Sequence, residues 1–413
     1  MNVHSRSIPR RDGLLHPHMR LLGRDLPAFH LCAIAGLVAG MALVTALALR
    51  LGLAPLVEAG LAAIAVALFL LYAMMHKVIT GEESLVHYRA LLMVTAGVAS
   101  AAWFAGLPVL RFMDITILGV GTFAAFGRVG CLMVGCCHGR PSRRGIRYRE
   151  EHARSGFPRS FVGVPLLPVQ AVEAVALAAI VAGGCAILLG GARPGSALAW
   201  YFVAYGTLRF GLEFLRGDAD RPYMLGFSEA QWTAVVVVAA LCVAGYCGAL
   251  PVLPWHSGML GALAMAMVAV AAGRGMDNDE CFQLLHPVHV SELARIVAMR
   301  RAEPRMQGDE FDSAASARPI VTSRGVSVTG GLIGMARGTS YYFALSRRGH
   351  RFGLQGTQRL AELMVLLCNG RTWELVRGRW GVVHLLIDVQ PRGSGGHESA
   401  TKKEAFYPSL AGE

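Results

Sequence analysis

The chain has 413 residues, 54% of them hydrophobic and 16% charged, with a mean hydropathy of +0.47. That is too apolar for an ordinary soluble enzyme. Its net charge of +12 carries no aromatic–basic interleaving, so no nucleic-acid partner is expected; arginines beside apolar runs serve membrane orientation and anionic headgroups. Nine cysteines over this length do not make a disulfide framework, and only Cys131, Cys136 and Cys137 cluster.

An arginine-rich lead, residues 1–26, is expected to be flexible. No cleavable signal peptide is expected, because the first apolar run is too long for one. Runs of membrane-spanning length follow at about 27–49, 53–76, 90–110, 115–137, 164–191, 196–215, 229–253 and 257–273, the last short and rich in Gly and Ala. The reading is an all-α polytopic membrane bundle of seven or eight transmembrane helices over 27–274. A small soluble α+β domain is expected over 275–413, with a flexible C-terminus. In that tail, 289–303 and 354–369 have helical periodicity, and strands are predicted on either side of a glycine turn at Thr329–Gly334. A closing hairpin turns near Gly378 and Arg379. Cys281, His286 and His289 are loosely spaced like metal ligands but have no apparent fourth partner.

Loop charges predict an orientation. With both termini inside, the cytoplasmic side collects the five arginines of the lead, Lys77, Arg89, Arg216, Arg221 and seven arginines between Arg140 and Arg159. Only Arg50, Arg111 and Arg193 fall opposite. The longest hydrophilic connection, 138–163, is therefore expected inside.

The stretch Phe123–Ser142 begins as an apolar run and ends in glycine, cysteine, histidine and arginine. If its helix continues, Arg128, Cys131, Gly135 and His138 form one stripe. Gly127, Gly130, Gly135 and Gly139 remove bulk, so that a backbone or ligand can approach. An arginine in a membrane-length run belongs in a protein interior or wet cavity. A small-residue helix interface with a paired arginine explains the same pattern without function. Cys131, Cys136, Cys137 and His138 also suggest a metal or redox centre, but the four converge only if the helix breaks at Gly135.

Three blocks, in order, resemble the prolipoprotein diacylglyceryl transferase family. They are GRVGCLMVGCCHGRP, the LLPVQAVEA segment at 166–174, and YGTLRFGLEFLRGDADRPYMLGFSEAQW at 205–232, which fits a Tyr-Gly-x-x-Arg-x-x-x-Glu-Phe-x-Arg pattern. The resemblance implies a multi-pass protein of the cytoplasmic membrane. It implies transfer of a diacylglyceryl group from phosphatidylglycerol to the cysteine thiol of a lipoprotein precursor, with no cofactor. Arg128 and Arg209 would hold the departing phosphate, since arginine donates in pairs to phosphate oxygens and stays charged when partly buried. Arg216, Tyr205 and Glu213 would support them, with Gly127, Cys131, Gly135, Gly139 and Arg140 lining the substrate. The resemblance also implies an outer-side location for the loop after the signature, against the arginine count.

The departures gather on the base half of the site. Cys131 and Cys136 stand where the family usually has an asparagine and an acidic residue. SLVHYRALL replaces a His-Gly-Gly segment, and Leu167 replaces a histidine before the Pro-x-Gln block. His76 and Lys77 stand in place of an arginine late in the second span. His87 and His138 are the candidates for the base. A non-catalytic lipid-binding scaffold, with the tail as sensor, is the alternative.

Overall fold

The computed structural model describes residues 15–21, 23–81, 87–276, 279–303, 318–335, 338–349, 351–389 and 402–403. A hairpin, β1 (His18–Leu21) and β2 (Arg24–Pro27), leads into the bundle, so the end of the expected flexible lead is ordered backbone. Four helices follow: α1 (Ala28–Arg50), α2 (Pro55–Thr80), α3 (His87–Phe104) and α4 (Val109–Val134). Proline opens α2, where its missing N–H costs no hydrogen bond, and Gly81 closes it in the left-handed conformation.

The long connection carries β3 (Pro141–Arg147), α5 (Glu150–Arg154), a 3-10 turn at Arg159–Phe161 and β4 (Pro165–Leu166). The chain then re-enters the bundle as α6 (Val169–Leu189) and α7 (Ser196–Glu213). A short hairpin, β5 (Tyr223–Met224) and β6 (Phe227–Ser228), precedes α8 (Glu229–Tyr246) and α9 (Pro254–Met276). Ser228 caps α8 through a capping box with Gln231. Six of these helices are long and apolar enough to cross a membrane, and α3 and α7 complete the bundle.

The bundle turns its polar groups inward. Asp114 in α4 accepts from the backbone N–H groups of Gly195 (2.6 Å) and Leu198 (2.8 Å), satisfying the start of α7. Glu58 in α2 accepts from Thr116 Oγ1 at 2.9 Å. The outer face exposes Leu56, Leu70, Val78, Phe104, Val175 and Val236, the surface a lipid environment requires.

The tail contains α10 (Asp279–Leu284), α11 (Pro287–Ala302) and α12 (Leu354–Cys368), with strands β7 (Ile320–Val321), β8 (Val326–Met335), β9 (Gly338–Arg347), β10 (Thr372–Arg377), β11 (Val383–Val389) and β12 (Lys402–Lys403). The sheet order is β12-β10-β11-β9-β8-β7, antiparallel except for β12 on β10. Helices α11 and α12 and the closing hairpin stand where the sequence places them, while the short α10 was not anticipated. The predicted glycine turn does not: Thr329–Gly334 lies inside β8, paired to β9. The reason is local, because a Cβ on Gly330 would sit 2.1 Å from the Tyr342 carbonyl oxygen. That glycine allows the two strands to approach. The Cys281, His286 and His289 spacing has a structural explanation. His286 Nδ1 accepts from Val288 N–H at the start of α11, and the His289 ring bridges the Leu284 carbonyl (2.7 Å) and Thr322 (3.1 Å). The rest of the segment after 389 lies outside the described residues.

The tail does not stand apart from the long connection. Tyr148, Phe157, Phe161, Val164 and Leu166 share one apolar core with Leu284, Leu293, Val297, Leu360 and Met364, and Leu15 joins it. Arg147 hydrogen-bonds both the Gly163 carbonyl and the Asn369 side chain at the end of α12. Leu15, the connection after α4 and the tail therefore meet at one end of the bundle.

Candidate functional site

The three sequence blocks meet first through their backbones. Gly139 N–H donates to the Leu167 carbonyl (3.0 Å), and Leu167 N–H donates back to the Arg140 carbonyl (3.0 Å). Arg140 N–H donates to Leu215 (2.9 Å), and Gly217 N–H donates to His138 (2.9 Å). Close approach is built in: a Cβ on Gly139 would lie 2.5 Å from the Leu167 carbonyl oxygen, and one on Gly217 would lie 2.5 Å from that of Gly139. By contrast, Gly127 faces open space, so its lack of a side chain serves no helix contact.

On this frame the buried charges form a chain. Arg128 Nε lies 3.0 Å from Glu173, and Arg209 lies 3.6 Å from the same carboxylate. Tyr205 donates its hydroxyl hydrogen to Glu173 at 3.0 Å. Arg209 also pairs with Glu213 at 2.6 Å, one helical turn along α7. Arg216 meets Glu213 at 3.7 Å and grips Asp218 through two bonds of 2.9 and 2.7 Å. Arg221 joins both Glu213 and Asp218. Four guanidinium groups thus face three carboxylates, which leaves a net positive site. Burial alone would raise the Asp218 carboxyl, but Arg216 and Arg221 outweigh it and hold it below the ordinary range.

Several donors here are unspent among the described residues. Arg209 Nε has no hydrogen-bond partner, and neither do the hydroxyls of Tyr88 and Tyr201. All three residues are buried. The Tyr88 and Tyr201 rings lie 5.7 and 5.8 Å from that of Tyr205, so these donors gather beside Glu173 and Arg209. Buried donors without partners are costly unless a ligand takes them.

The base candidates separate. The His87 side chain lies outside the described residues, and its neighbour Tyr88 is the group from that segment that reaches the site. His138 is buried, with Nδ1 3.0 Å from the Gly139 carbonyl oxygen and its ring against Phe157 and Phe161. Nδ1 must therefore carry the hydrogen, which leaves Nε2 as the acceptor. Burial lowers the tendency of this imidazole to protonate. Arg140 Nε reaches the Arg216 carbonyl at 3.4 Å, with the cations Arg221 and Arg274 nearby.

The expected helical stripe is interrupted. Helix α4 ends at Val134, Gly135 adopts φ 89°, and Cys137 follows at φ 55°. A Cβ at Gly135 would meet Phe157 at 2.7 Å. This break brings the sulfurs of Cys131, Cys136 and Cys137 within 4.8 Å of one another, while His138 turns away. Hydrogen bonds from Cys131 and Cys136, reinforced by the Arg216 and Arg128 charges, hold the Cys137 thiol well below its usual range.

A family model described as prolipoprotein diacylglyceryl transferase matches residues 25–246, which include every member of this charge network. The chain belongs to the prolipoprotein diacylglyceryl transferase family. Among similar proteins is the phosphatidylglycerol–prolipoprotein diacylglyceryl transferase of Dehalococcoides mccartyi, 26% identical over 41% of this chain and 63% of the relative. Another is phosphatidylglycerol–prolipoprotein diacylglyceryl transferase 2 of Clostridium perfringens, 30% identical over 37% of this chain and 57% of the relative. The matched part of the chain thus spans less than two thirds of either relative.

Glu173, the carboxylate on which Arg128, Arg209 and Tyr205 converge, falls within the LLPVQAVEA block but received no role from the sequence. The signal was present, because Glu173 is the only charged residue of α6. Gln170, one turn earlier, donates to the Cys136 carbonyl at 2.7 Å and ties α6 to the signature. Asp218 and Arg221 carried no comparable signal, since charged residues in a connecting loop are ordinary.

Proposed function

We propose that this protein is a membrane transferase that moves the diacylglyceryl group of phosphatidylglycerol to the cysteine thiol of a lipoprotein precursor. The observation that carries this reading is the buried Arg128–Glu173–Arg209–Glu213–Arg216 chain with its unspent donors. A phosphodiester entering the site meets a positive field in surroundings poor in water, where such a field is strongest. Arg209 Nε and the Tyr88 and Tyr201 hydroxyls offer hydrogen bonds to phosphate oxygens. Glu173 and Glu213 fix the guanidinium planes beforehand, so little reorganisation accompanies charge development. The acceptor sulfur attacks the glyceryl carbon, the carbon–oxygen bond to phosphate breaks, and glycerol phosphate departs with the negative charge. Arg216 and Arg140 lie toward the loop end, where they extend the positive charge beside the departing phosphate. Gly127, facing open space in α4, leaves room for an acyl chain.

The proposed location is the cytoplasmic membrane, where the anionic donor lipid lies. The test is a mass spectrum of a lipobox-type cysteine peptide incubated with the purified protein and phosphatidylglycerol. Addition of a diacylglyceryl mass to the thiol by the wild type and not by Arg209→Ala supports the reading. Bound lipid without product would favour the scaffold alternative.

A further inference from the structure

The residues that resemblance implies for the base half of the site are missing here, and a cluster of three thiols occupies the end of the signature helix. We propose that Cys131, Cys136 and Cys137 form a three-thiolate site for a zinc ion whose open fourth position takes the sulfur of the acceptor cysteine. This rests on the transferase reading above.

The geometry suits such an ion. The three sulfurs lie within 4.8 Å of one another. Zinc bound at about 2.3 Å spreads its thiolates about 3.8 Å apart in a tetrahedron, so only a small inward movement is needed. The backbone is shaped to gather them. A helix running on past Val134 would send Cys136 and Cys137 to other faces, and the left-handed Gly135 and Cys137 bring them back toward Cys131. A non-glycine residue with positive φ is strained, and strain of this kind collects at functional sites.

The number of ligands is equally telling. His138 is adjacent, but its free Nε2 does not join the three sulfurs within 4.8 Å, so it supplies no fourth bond here. A zinc site with three protein ligands and one open position is a catalytic arrangement, whereas structural sites are closed. Cys136 is exposed, which gives the cluster access from outside the core. Charge is accommodated too. Three thiolates and one zinc ion leave one negative charge, and an acceptor thiolate adds another. Arg128 stands one helical turn before Cys131, and Arg216 is tied through Gly217 to the carbonyl next to Cys137.

The step balances without redox chemistry. On binding, the acceptor thiol gives its proton to water and its sulfur becomes a zinc-held thiolate, since a coordinating thiol is deprotonated outright. The sulfur lone pair forms the bond to the glyceryl carbon while the carbon–oxygen bond breaks, and its electron pair leaves on the phosphate. Glycerol phosphate recovers a proton from solvent, and the thioether, a weak ligand, leaves the metal. The metal thus activates the thiol without drawing on the replaced His-Gly-Gly segment.

The experiment uses the full-length protein in detergent and reads metal content and cobalt(II) spectra without lipid. Expected results are stoichiometric zinc in the wild type and its loss in Cys131→Ser, Cys136→Ser and Cys137→Ser, with retention in Cys247→Ser. Thermal unfolding of each variant checks that the fold persists, and the exposed Cys136 is the variant least able to disturb it. After cobalt exchange, thiolate-to-metal bands are expected, and a cysteine peptide should shift the d–d absorption where its serine counterpart does not. A disulfide among the three cysteines, copper in place of zinc, zinc retained in all three serine variants, or a cobalt spectrum indifferent to the peptide thiol would each overturn the inference. Undiminished transfer by zinc-free protein would overturn it while leaving the transferase reading intact. Zinc and the cobalt shift without any lipid transfer would sink that reading and spare the metal site.

Discussion

Arg128 Nε and Glu173 Oε2 stand 3.0 Å apart and join the signature helix to α6 deep in the bundle. The same carboxylate receives Tyr205 and faces Arg209, so it is the hinge point of the whole charge chain. Replacing it with glutamine keeps the shape and removes the charge. Glu173→Gln is expected to lose about 3–5 kcal/mol of stability, the scale of breaking a buried pair from one side. Thermal unfolding in detergent measures this, and transfer should fall in parallel. A variant as stable as the wild type would mean that solvent or lipid already screens these arginines.

Arg209→Ala and Arg209→Lys separate charge from fork geometry. Both should reduce transfer by about 10²–10³-fold, the cost of removing a donor aimed at developing charge. Lysine should not rescue, because it cannot bond Glu213 and a phosphate with a planar fork. Initial rates with detergent-dispersed phosphatidylglycerol provide the check. Near-normal rates in the lysine variant would reduce the role to a point charge.

Gly139→Ala tests the backbone clamp without touching a charge. Its new methyl would meet the Leu167 carbonyl oxygen at 2.5 Å. Forcing the two segments apart should cost about 1–3 kcal/mol. The unfolding midpoint should drop, and transfer should suffer as the three motif segments move out of register.

Much of this arrangement was legible in the chain. The apolar runs gave the bundle, and the Arg209–Glu213 pair followed from helical spacing. What failed did so for physical reasons. Continuing α4 through Gly135 ignored that this glycine is pinned against Phe157 and Tyr148, a tertiary contact that ends the helix. Residues 138–163 read as a hydrophilic connection because arginines dominate them, yet Tyr148, Phe157 and Phe161 are buried between those arginines. Periodicity does not reveal aromatic residues spaced by irregular backbone. Thr329–Gly334 looked like a turn because glycine serves both tight turns and close strand approach. Local sequence does not tell the two apart.

Asn369 closes α12 in the left-handed conformation and bonds Arg147 across to the connection after α4. Asn369→Gly preserves that backbone and deletes only the amide. The lost charge-assisted bond should cost about 1.5–3 kcal/mol. Hydrogen exchange should accelerate at 159–163 and in the last turn of α12. Unchanged exchange would show that the shared apolar core alone holds the tail in place.

His286 gives the tail a pH dependence. Burial, followed by the charges of Arg324, Arg140 and Arg221, lowers its pKa to about 4. The folded pKa lies below the unfolded value, so its neutral form is favoured on folding. That stability is complete above about pH 6.5 and is lost as pH falls toward about 4. Protonation also fills Nδ1, the atom that accepts from Val288 N–H. Amide exchange in the first turn of α11 should therefore quicken across this window. His286→Asn keeps an acceptor at the cap and should flatten the response; His289, lowered in the same direction, leaves a residual slope.

The shared core of the connection and the tail also bears on dissection of the protein. Cutting the chain after α9 to obtain a smaller enzyme would uncover Tyr148, Phe157, Phe161, Val164 and Leu166 together, beside the glycine that ends the signature helix. Such a fragment would be adhesive at the face beside the end of the signature helix. The added domain is therefore no removable passenger. Its core is part of the wall that backs the end of the signature helix.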